Sequence, residues 1–216
     1  MTGSGNRVLI VDDGFFHPPL LARWRLRQAL GQEAGIIFER VRSLDALPGR
    51  DLHGFQALVL YYHHKTVSPA ALQSLDDFLA SGGGVLAVHS ATASFDGTQR
   101  YFELLGGSFS GHGPLETFTL QPAAGLDPGI AGGDSPASFT VTDELYRHDF
   151  FGEIQVQYTA LLAGEAIPVV WLHPYGRGLV CYYCPGHTAA TLDHPAYQAL
   201  LRRGLRRVMR RDQAGK

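Results

Sequence analysis

Apolar residues along the first half of the chain follow two different spacings. Short continuous apolar runs predict buried strands, whereas apolar residues at every third or fourth position predict amphipathic helices. The predicted strands cover residues 7–12, 35–40, 57–62 and 85–89, and the predicted helices cover residues 20–30, 68–80 and 100–105. Ser68 is a favourable N-cap, and Pro69 suits the first helical position. Because strands and helices alternate, we expect an α/β fold with a mostly parallel central sheet.

The pattern changes after Gly106. Segments 115–120 and 137–141 alternate between apolar and polar residues among many glycines and prolines, and we expect an irregular region there. Strands return at residues 156–162, 168–173 and 178–184, and the PYGRG turn between the last two predicts a late β-hairpin. The closing helix, residues 194–210, has its arginines on one broad face, which indicates a solvated surface more than a nucleic-acid patch.

Composition narrows the classes of function. The chain has 216 residues, 45% of them apolar, which is enough material for one buried core. We therefore expect a single domain over residues 1–216, with flexible ends at 1–6 and 212–216. A formal net charge of -2 creates no field that would attract nucleic acid or an anionic membrane. The sequence shows neither a secretory signal nor the ~20 apolar residues of a spanning helix, so we expect a cytoplasmic protein, and we leave homo-oligomerisation open.

The two cysteines, Cys181 and Cys184, have the CxxC spacing of some metal and redox motifs. They fall on a predicted strand, where residues three positions apart point to opposite faces. We therefore expect two buried free thiols that share neither a disulfide bond nor a metal ion.

The ten histidines are the unusual part of the composition, because several of them follow the ends of predicted strands. Asp13 and His17 follow the first strand, and the pair His63 and His64 follows the third. His89 ends the fourth. In open parallel sheets ligands bind beyond the carboxyl ends of the strands, so we expect these residues to belong to one site. For any single one of them, a surface or capping role is the alternative.

The segment SGGGVLAVHSAT, residues 81–92, predicts a strand and then a sharp turn with His89 or Ser90 at its apex. Its three glycines precede the strand, whereas a phosphate cradle follows a strand and opens a helix, so we expect no nucleotide cofactor. A nucleophilic serine at such a turn normally has glycine neighbours, and Val88 and Ala91 do not provide them. We therefore expect Ser90 to contact substrate rather than to attack it.

Four segments, taken in order, resemble one protein family. They are GGGVLAVHSAT at 82–92, YFELLGGSFSGH at 101–112, DELY at 143–146 and VVWLHPYGRGLVCYYCPGHT at 169–188. Together they look like the ThuA-like family, which is named for trehalose utilisation. The resemblance implies a flavodoxin-like, class I glutamine amidotransferase-like fold, a three-layer sandwich, and a role in carbohydrate metabolism.

The resemblance also implies where the site lies. Amidotransferases hold a cysteine at the sharp turn and a histidine after a late strand, and here His89 and His187 take those positions. Without a thiol, glutamine hydrolysis through a thioester is not available. We expect His89, His112 and His187 to ligate a divalent metal, Zn or Fe, together with a carboxylate. The candidates for that carboxylate are Asp143 and Glu144, with Asp13, Asp96 and Glu103 as weaker choices, and Glu144 is expected to support the histidines. A metal-free pocket whose histidines bind sugar hydroxyls is the alternative.

We expect an enzyme, a metal- or histidine-dependent hydrolase, lyase or isomerase acting on a sugar or keto-sugar derivative, with His89, His187 and Glu144 as catalytic groups. The substrate contacts are expected to come from Asp13, His17, His63, His64, Ser90 and Tyr146. Relatives often continue GHT with Pro-Glu, whereas this chain has Ala189 and Ala190, so a carboxylate partner for His187 has to come from elsewhere. A non-catalytic sugar-binding or interaction module on the same fold is the second hypothesis.

Overall fold

The computed structural model describes residues 6–14, 18–131, 137–162 and 164–209. Its strands are β1 (Asn6–Asp12), β2 (Ile36–Val41), β3 (Ala57–Tyr61), β4 (Gly84–Val88), β5 (Gly107–His112), β6 (Glu116–Pro122), β7 (Phe139–Asp143), β8 (Tyr146–Phe150), β9 (Gln155–Leu162), β10 (Glu165–Tyr175) and β11 (Gly178–Tyr183). Its α-helices are α1 (Leu20–Gly31), α2 (Pro69–Ala80), α3 (Gln99–Leu105), α4 (Pro128–Ala131), α5 (Ala189–Asp193) and α6 (Pro195–Met209). Of the ends expected to be flexible, residues 1–5 and 212–216 lie outside the described residues, and Asn6 begins β1.

One large sheet has the strand order β2-β1-β3-β4-β11-β10-β9-β6-β7. Neighbours from β2 to β11 are parallel. Neighbours from β11 to β7 are antiparallel, and β5 and β8 form a separate antiparallel pair. The prediction of a mostly parallel sheet is therefore wrong, because the sheet is mixed and antiparallel pairs are the more numerous among the described strands.

The antiparallel half follows from short connections, which join neighbouring strands as hairpins. β10 turns at Gly176 into β11, as the PYGRG turn predicts. The region that we expected to be irregular forms β6 and β7. Along β7, Phe139 and Val141 are buried whereas Thr140 and Thr142 are exposed. This period of two is typical of an antiparallel strand with one face in water.

Helices pack on both faces of the parallel half. α1, α5 and α6 contact one another, and α2 contacts α3. Two neighbouring glycines show that these groups lie on opposite faces of the sheet. A Cβ on Gly83 would lie 2.3 Å from the ring of Phe78 in α2, whereas a Cβ on Gly84 would meet the backbone of Val208 in α6. The expected α/β fold is confirmed, with a mixed sheet between the helices.

Several local predictions are confirmed. The Ser68 hydroxyl accepts a hydrogen bond from the Ala71 N–H at 3.2 Å, as an N-cap does. Gly82, with a φ of 100°, follows the end of α2. Cys181 and Cys184 are free and fully buried, and burial raises the pKa of the Cys181 thiol to about 12. None of the described helices combines the length and the apolar character needed to cross a membrane.

Candidate functional site

The turn after β4 places His89 at the carboxyl edge of the sheet. It is a 3-10 helix, His89–Ala93, and the φ of His89 is +47°. A left-handed conformation costs a residue with a Cβ about 1–2 kcal/mol, so the surrounding contacts have to hold it. The Tyr182 hydroxyl donates to the His89 carbonyl at 2.9 Å, and the Thr92 hydroxyl donates to the Tyr182 hydroxyl at 3.0 Å. The turn is therefore tied to β11.

The imidazole of His89 is fixed by its second ring nitrogen. Nδ1 lies 2.9 Å from the Cys184 carbonyl oxygen. Because a carbonyl oxygen only accepts, Nδ1 carries a proton and donates it, which leaves Nε2 to face the site. A metal-ligating histidine usually has such a backbone partner on its other nitrogen. Nε2 lies 3.5 Å from Oε2 of Glu144, the residue after β7.

Glu144 also meets His187. Its Oε2 lies 3.4 Å from Nδ1 of His187, in the loop between β11 and α5. One ligand atom from each of His89, Glu144 and His187 lies within 4.8 Å of the other two, and we call this group the His89–Glu144–His187 cluster. Donor atoms about 2.1 Å from a tetrahedral ion lie about 3.4 Å apart, so the donor set and its spacing fit a divalent metal.

The charge of Glu144 is set by its neighbours. Burial by itself raises the pKa of this carboxyl, but His89 and His187, in their protonated forms, lower it to about 2 through a hydrogen bond from His89 and the positive charges of both rings. Glu144 is therefore ionised at neutral pH. A neutral His89 would turn its Nε2 lone pair toward this carboxylate, so the arrangement calls for a positive charge, a proton or a metal ion, between the two groups.

Asp143 holds the loop that carries His187. Its fully buried carboxylate accepts hydrogen bonds from the backbone N–H groups of Gly186, His187 and Thr188 at 3.0–3.2 Å. The Thr188 hydroxyl donates to the same carboxylate at 3.2 Å. The carboxylate that His187 lacks in its own segment is thus supplied by the DELY segment, where Asp143 fixes the loop and Glu144 meets the ring.

A cavity of about 830 Å³ opens in front of Glu144. Its polar walls come from His63, His64, Lys65, Asp96, Ser110 and His112, and its aromatic walls come from Phe95, Phe102, Phe109 and Tyr146. A volume of this size lies within the range of small-molecule sites. Aromatic rings pack against the C–H faces of a sugar, and the polar groups suit its hydroxyls.

The structure brings four of the residues expected to contact substrate or metal to this cavity, namely His63, His64, His112 and Tyr146. The ring of Tyr146 lies 4.2 Å from that of His89, centroid to centroid, and so connects the cavity wall to the cluster. His112 is exposed, and its Nδ1 lies 2.6 Å from the Gly113 carbonyl oxygen. Among the described residues, the group with metal-ligand spacing contains Glu144 in place of His112.

The other expected contacts lie elsewhere. Ser90 is fully buried and is absent from the cavity lining. Asp13 lines a second cavity, described below, and pairs with His64 at 3.4 Å. The expected contact from His17 lies outside the described residues. The Asp13–His64 pair therefore lies between the two cavities.

The buried residues that contact the His89 turn were not predicted from the sequence. Nε2 of His148 lies 3.1 Å from both the Tyr182 hydroxyl and the Thr92 hydroxyl. The three side chains form one polar group next to the turn. These residues come from three separate elements, and none has a spacing that relates it to the others. A hydroxyl three residues after His89 is the one local signal, since Oγ1 of Thr92 lies 3.2 Å from the His89 carbonyl oxygen.

The fold and the cluster define an α/β protein with a histidine–carboxylate site at the carboxyl edge of a mixed sheet. The family model for ThuA, described as trehalose utilisation, matches residues 7–207. The chain belongs to the ThuA family. A search of curated protein sequences finds no match.

Solved structures share the fold at low sequence identity. A ThuA-like protein from Parabacteroides merdae is 18% identical with a TM-score of 0.83, over 98% of this chain and 92% of that one. A ThuA-like protein from Bacteroides uniformis is 16% identical with a TM-score of 0.75, over 94% and 91% of the two chains. A β-galactosidase from Rahnella sp. R3 is 14% identical with a TM-score of 0.65, over 94% of this chain and 31% of that one.

Proposed function

We propose that this ThuA-family protein is an enzyme that removes a proton from a small keto-sugar, at the carbon next to the keto group. The observation that carries the proposal is the position of Glu144, whose Oε2 lies 3.5 Å from Nε2 of His89 and 3.4 Å from Nδ1 of His187. Glu144 also lines the large cavity, so this charged group faces any molecule bound there. The family's link to trehalose utilisation supports a carbohydrate as the substrate.

His89, Glu144 and His187 would hold a divalent ion, Zn or Fe, through two imidazole nitrogens and one carboxylate oxygen. When bound, such an ion supplies Lewis-acid stabilisation of negative charge on a carbonyl oxygen. The chain's own contribution is to keep both rings and the carboxylate in place. The Cys184 carbonyl orients His89, and Asp143 orients the loop of His187.

His112 is the group that takes the proton in this proposal. Its Nδ1 donates to the Gly113 carbonyl oxygen, so Nε2 is the acceptor of the neutral ring. His112 lines the cavity together with Glu144. Histidine is the most common general base in enzymes. The proton passes from carbon to Nε2 of His112, and the electron pair of the broken C–H bond moves into the enolate, with its charge on the former keto oxygen.

The cavity walls fit the proposed substrate. His63, His64 and Ser110 offer hydrogen-bond donors and acceptors for sugar hydroxyls, and Phe95 and Phe109 offer apolar faces for the ring. The cavity therefore suits small sugars and their keto derivatives.

Solvent exchange tests this function directly. Wild-type protein is incubated with 3-keto-glucose and 3-keto-trehalose in D2O with Zn or Fe(II), and loss of the proton next to the keto group is followed by proton NMR. We expect enzyme-dependent exchange that falls by about 100-fold or more in His112→Gln, Glu144→Gln and His187→Gln. Metal content, measured on the same samples, should fall in Glu144→Gln and His187→Gln and stay unchanged in His112→Gln.

The exposed His53→Gln variant is the matched control and should keep both exchange and metal content. Absence of exchange or turnover with any keto-sugar in metal-loaded protein would count against the enzyme. Full exchange in His112→Gln would remove that residue from the proton transfer.

A non-catalytic sugar-binding module is the second candidate function. The observation that favours it is the β-galactosidase from Rahnella sp. R3, in which the matching fold accounts for 31% of the chain. A module predicts that sugars bind the cavity and raise the melting temperature by mass action while no substrate is changed. Saturable sugar binding without exchange or turnover would select this function over the enzyme.

A further inference from the structure

A second cavity, of about 490 Å³, lies beyond the end of β1 and is lined by Asp13, Gly14, Leu20, Arg23, Arg27, Arg40 and Arg42. We propose that this four-arginine cavity binds a phosphoryl group, either free phosphate or the phosphate of a small phosphorylated sugar. The proposal does not depend on the proton transfer described above, because the four arginines include none of the residues assigned to metal binding or to proton transfer.

Three of the arginines converge on one buried carboxylate. Asp12 is fully buried, and it pairs with Arg40, with Arg27 at 3.4 Å and with Arg23 at 3.7 Å. The fourth arginine, Arg42, pairs with Asp13 at 3.1 Å. Four guanidinium groups thus share two carboxylates, which leaves two positive charges in excess around the cavity. A phosphate monoester is close to a dianion at neutral pH and matches this excess.

Donor groups of these arginines remain available for a ligand. The contacts of Arg40 and Arg42 use Nε and Nη2, and those of Arg27 use Nε alone. Each guanidinium has five N–H donors. Among the described residues, Nη1 of Arg40 and Arg42 and both Nη groups of Arg27 therefore have no hydrogen-bond acceptor. Planar guanidinium groups recognise phosphate through paired hydrogen bonds, which makes them better suited to it than lysines.

Burial separates three of these arginines from an ordinary solvated charge cluster, whereas Arg42 is largely exposed. Arg23 has a side-chain exposure of 6%, its Nε has no hydrogen-bond acceptor within the described part of the chain, and one of its Nη groups donates to the Gly14 carbonyl. Arg27 and Arg40 are about one-third exposed. Burying a guanidinium with an unmatched charge is unfavourable, and a bound dianion removes that cost.

The position of the cavity indicates a small ligand. The chain carries a net charge of -2, which favours a small anion over a polyanion as the ligand. Asp13 contacts His64, which lines the large cavity in front of Glu144. A phosphorylated sugar could therefore place its phosphate on the arginines and its sugar toward His64.

Calorimetric titration with inorganic phosphate at constant ionic strength tests the proposal. We expect saturable binding of one phosphate by the wild-type protein, weakened about tenfold or more by Arg27→Gln and by Arg42→Gln, since each variant removes charged hydrogen bonds to the phosphate. Both side chains reach solvent, so their loss is compatible with folding, which circular dichroism verifies. Arg206→Gln, an exposed ion-paired arginine on α6, is the matched control and should bind as wild type does.

Glucose 6-phosphate in a parallel titration identifies the source of the phosphoryl group. Tighter binding than inorganic phosphate assigns the site to a phosphorylated sugar, and equal binding assigns it to the free anion. The proposal is overturned if neither inorganic phosphate nor glucose 6-phosphate shows saturable binding, or if Arg27→Gln, Arg42→Gln and Arg206→Gln all bind the ligand as the wild type does.

Discussion

Oδ1 of Asp143 accepts a hydrogen bond from the backbone N–H of His187 at 3.0 Å. Asp143 thereby fixes the loop that carries His187, and the neighbouring residue Glu144 contacts the His187 ring. The two carboxylates of one segment thus have different tasks, since Asp143 fixes the loop and Glu144 carries the charge that faces the cavity.

Asp143→Asn should weaken metal binding as well as stability. The amide keeps one acceptor oxygen but turns an NH2 group toward backbone N–H donors, so at least one buried donor of the loop loses its partner. We expect a stability loss of about 1–3 kcal/mol in urea unfolding and metal affinity reduced about 10–100-fold. Thr140→Ala, at an exposed position of the same strand, is the control. If Asp143→Asn kept the metal affinity of the wild type, Asp143 would not be needed to position His187.

The backbone strain at His89 gives a second prediction. At a φ of +47°, glycine is favoured over any residue with a Cβ. His89→Gly should therefore be more stable than His89→Ala by about 1 kcal/mol, although both lose the imidazole. Chemical denaturation of the two variants measures the difference. Equal stability would mean that the turn relaxes once the ring is gone.

Tyr182→Phe tests how much the Tyr182 hydroxyl stabilises the same turn. The change removes the hydroxyl that donates to the His89 carbonyl and accepts from Thr92, at a fully buried position. We expect a loss of about 1–3 kcal/mol, because a buried carbonyl is left with one partner fewer. Tyr175→Phe, at a partly exposed hydroxyl bonded to Asp76, should cost less. Similar losses in the two variants would contradict a special role for Tyr182.

His148 predicts a specific acid sensitivity. Burial against Trp171 and Tyr182, and to a smaller extent the charge on His89, lowers the pKa of His148 to about 3. The unfolded chain binds this proton near the ordinary pKa of 6.5, whereas the folded protein does so only near pH 3. The contribution of the neutral ring to stability is therefore complete above pH 6.5 and declines as the pH falls, by about 1.4 kcal/mol per unit.

Urea unfolding at several pH values between 7 and 4 checks this slope. His148→Gln, whose amide can still bond Thr92 and Tyr182, should lose less stability on acidification than the wild type does. His53→Gln changes an exposed histidine and should follow the wild-type curve. An unchanged slope in His148→Gln would show that this ring is not the group responsible.

The parallel half of the fold and the β10–β11 hairpin were predictable from the sequence, whereas the pairing of β6 with β7 and β9 was not. Continuous apolar runs between helices identify β1, β3 and β4, because such strands are buried on both faces. The pairing of β6 with β9 joins segments that are distant in sequence and have helix α4 between them, and no local pattern specifies it. The alternation at 137–141 was visible, but its glycine- and proline-rich surroundings favoured an irregular region.

The sequence predicted most residues of the candidate site, but it did not predict their geometry. Strand ends and the family resemblance pointed to His89, His187 and Glu144, which the structure brings together. Glu144, and not His112, has metal-ligand spacing with His89 and His187. This outcome depends on distances between separate loops, which the sequence does not specify. The four-arginine cavity had no signal at all, because its arginines come from α1, β2 and the residue after β2, and they meet only when these elements pack.

Anomalous X-ray diffraction from crystals soaked with zinc tests the central claim most directly. The account predicts one strong anomalous peak about 2.0–2.2 Å from Nε2 of His89, Oε2 of Glu144 and Nδ1 of His187, and its disappearance in Glu144→Gln crystals soaked in the same way. An empty cluster in wild-type crystals under saturating zinc, or a peak at this position that persists in Glu144→Gln, would contradict it.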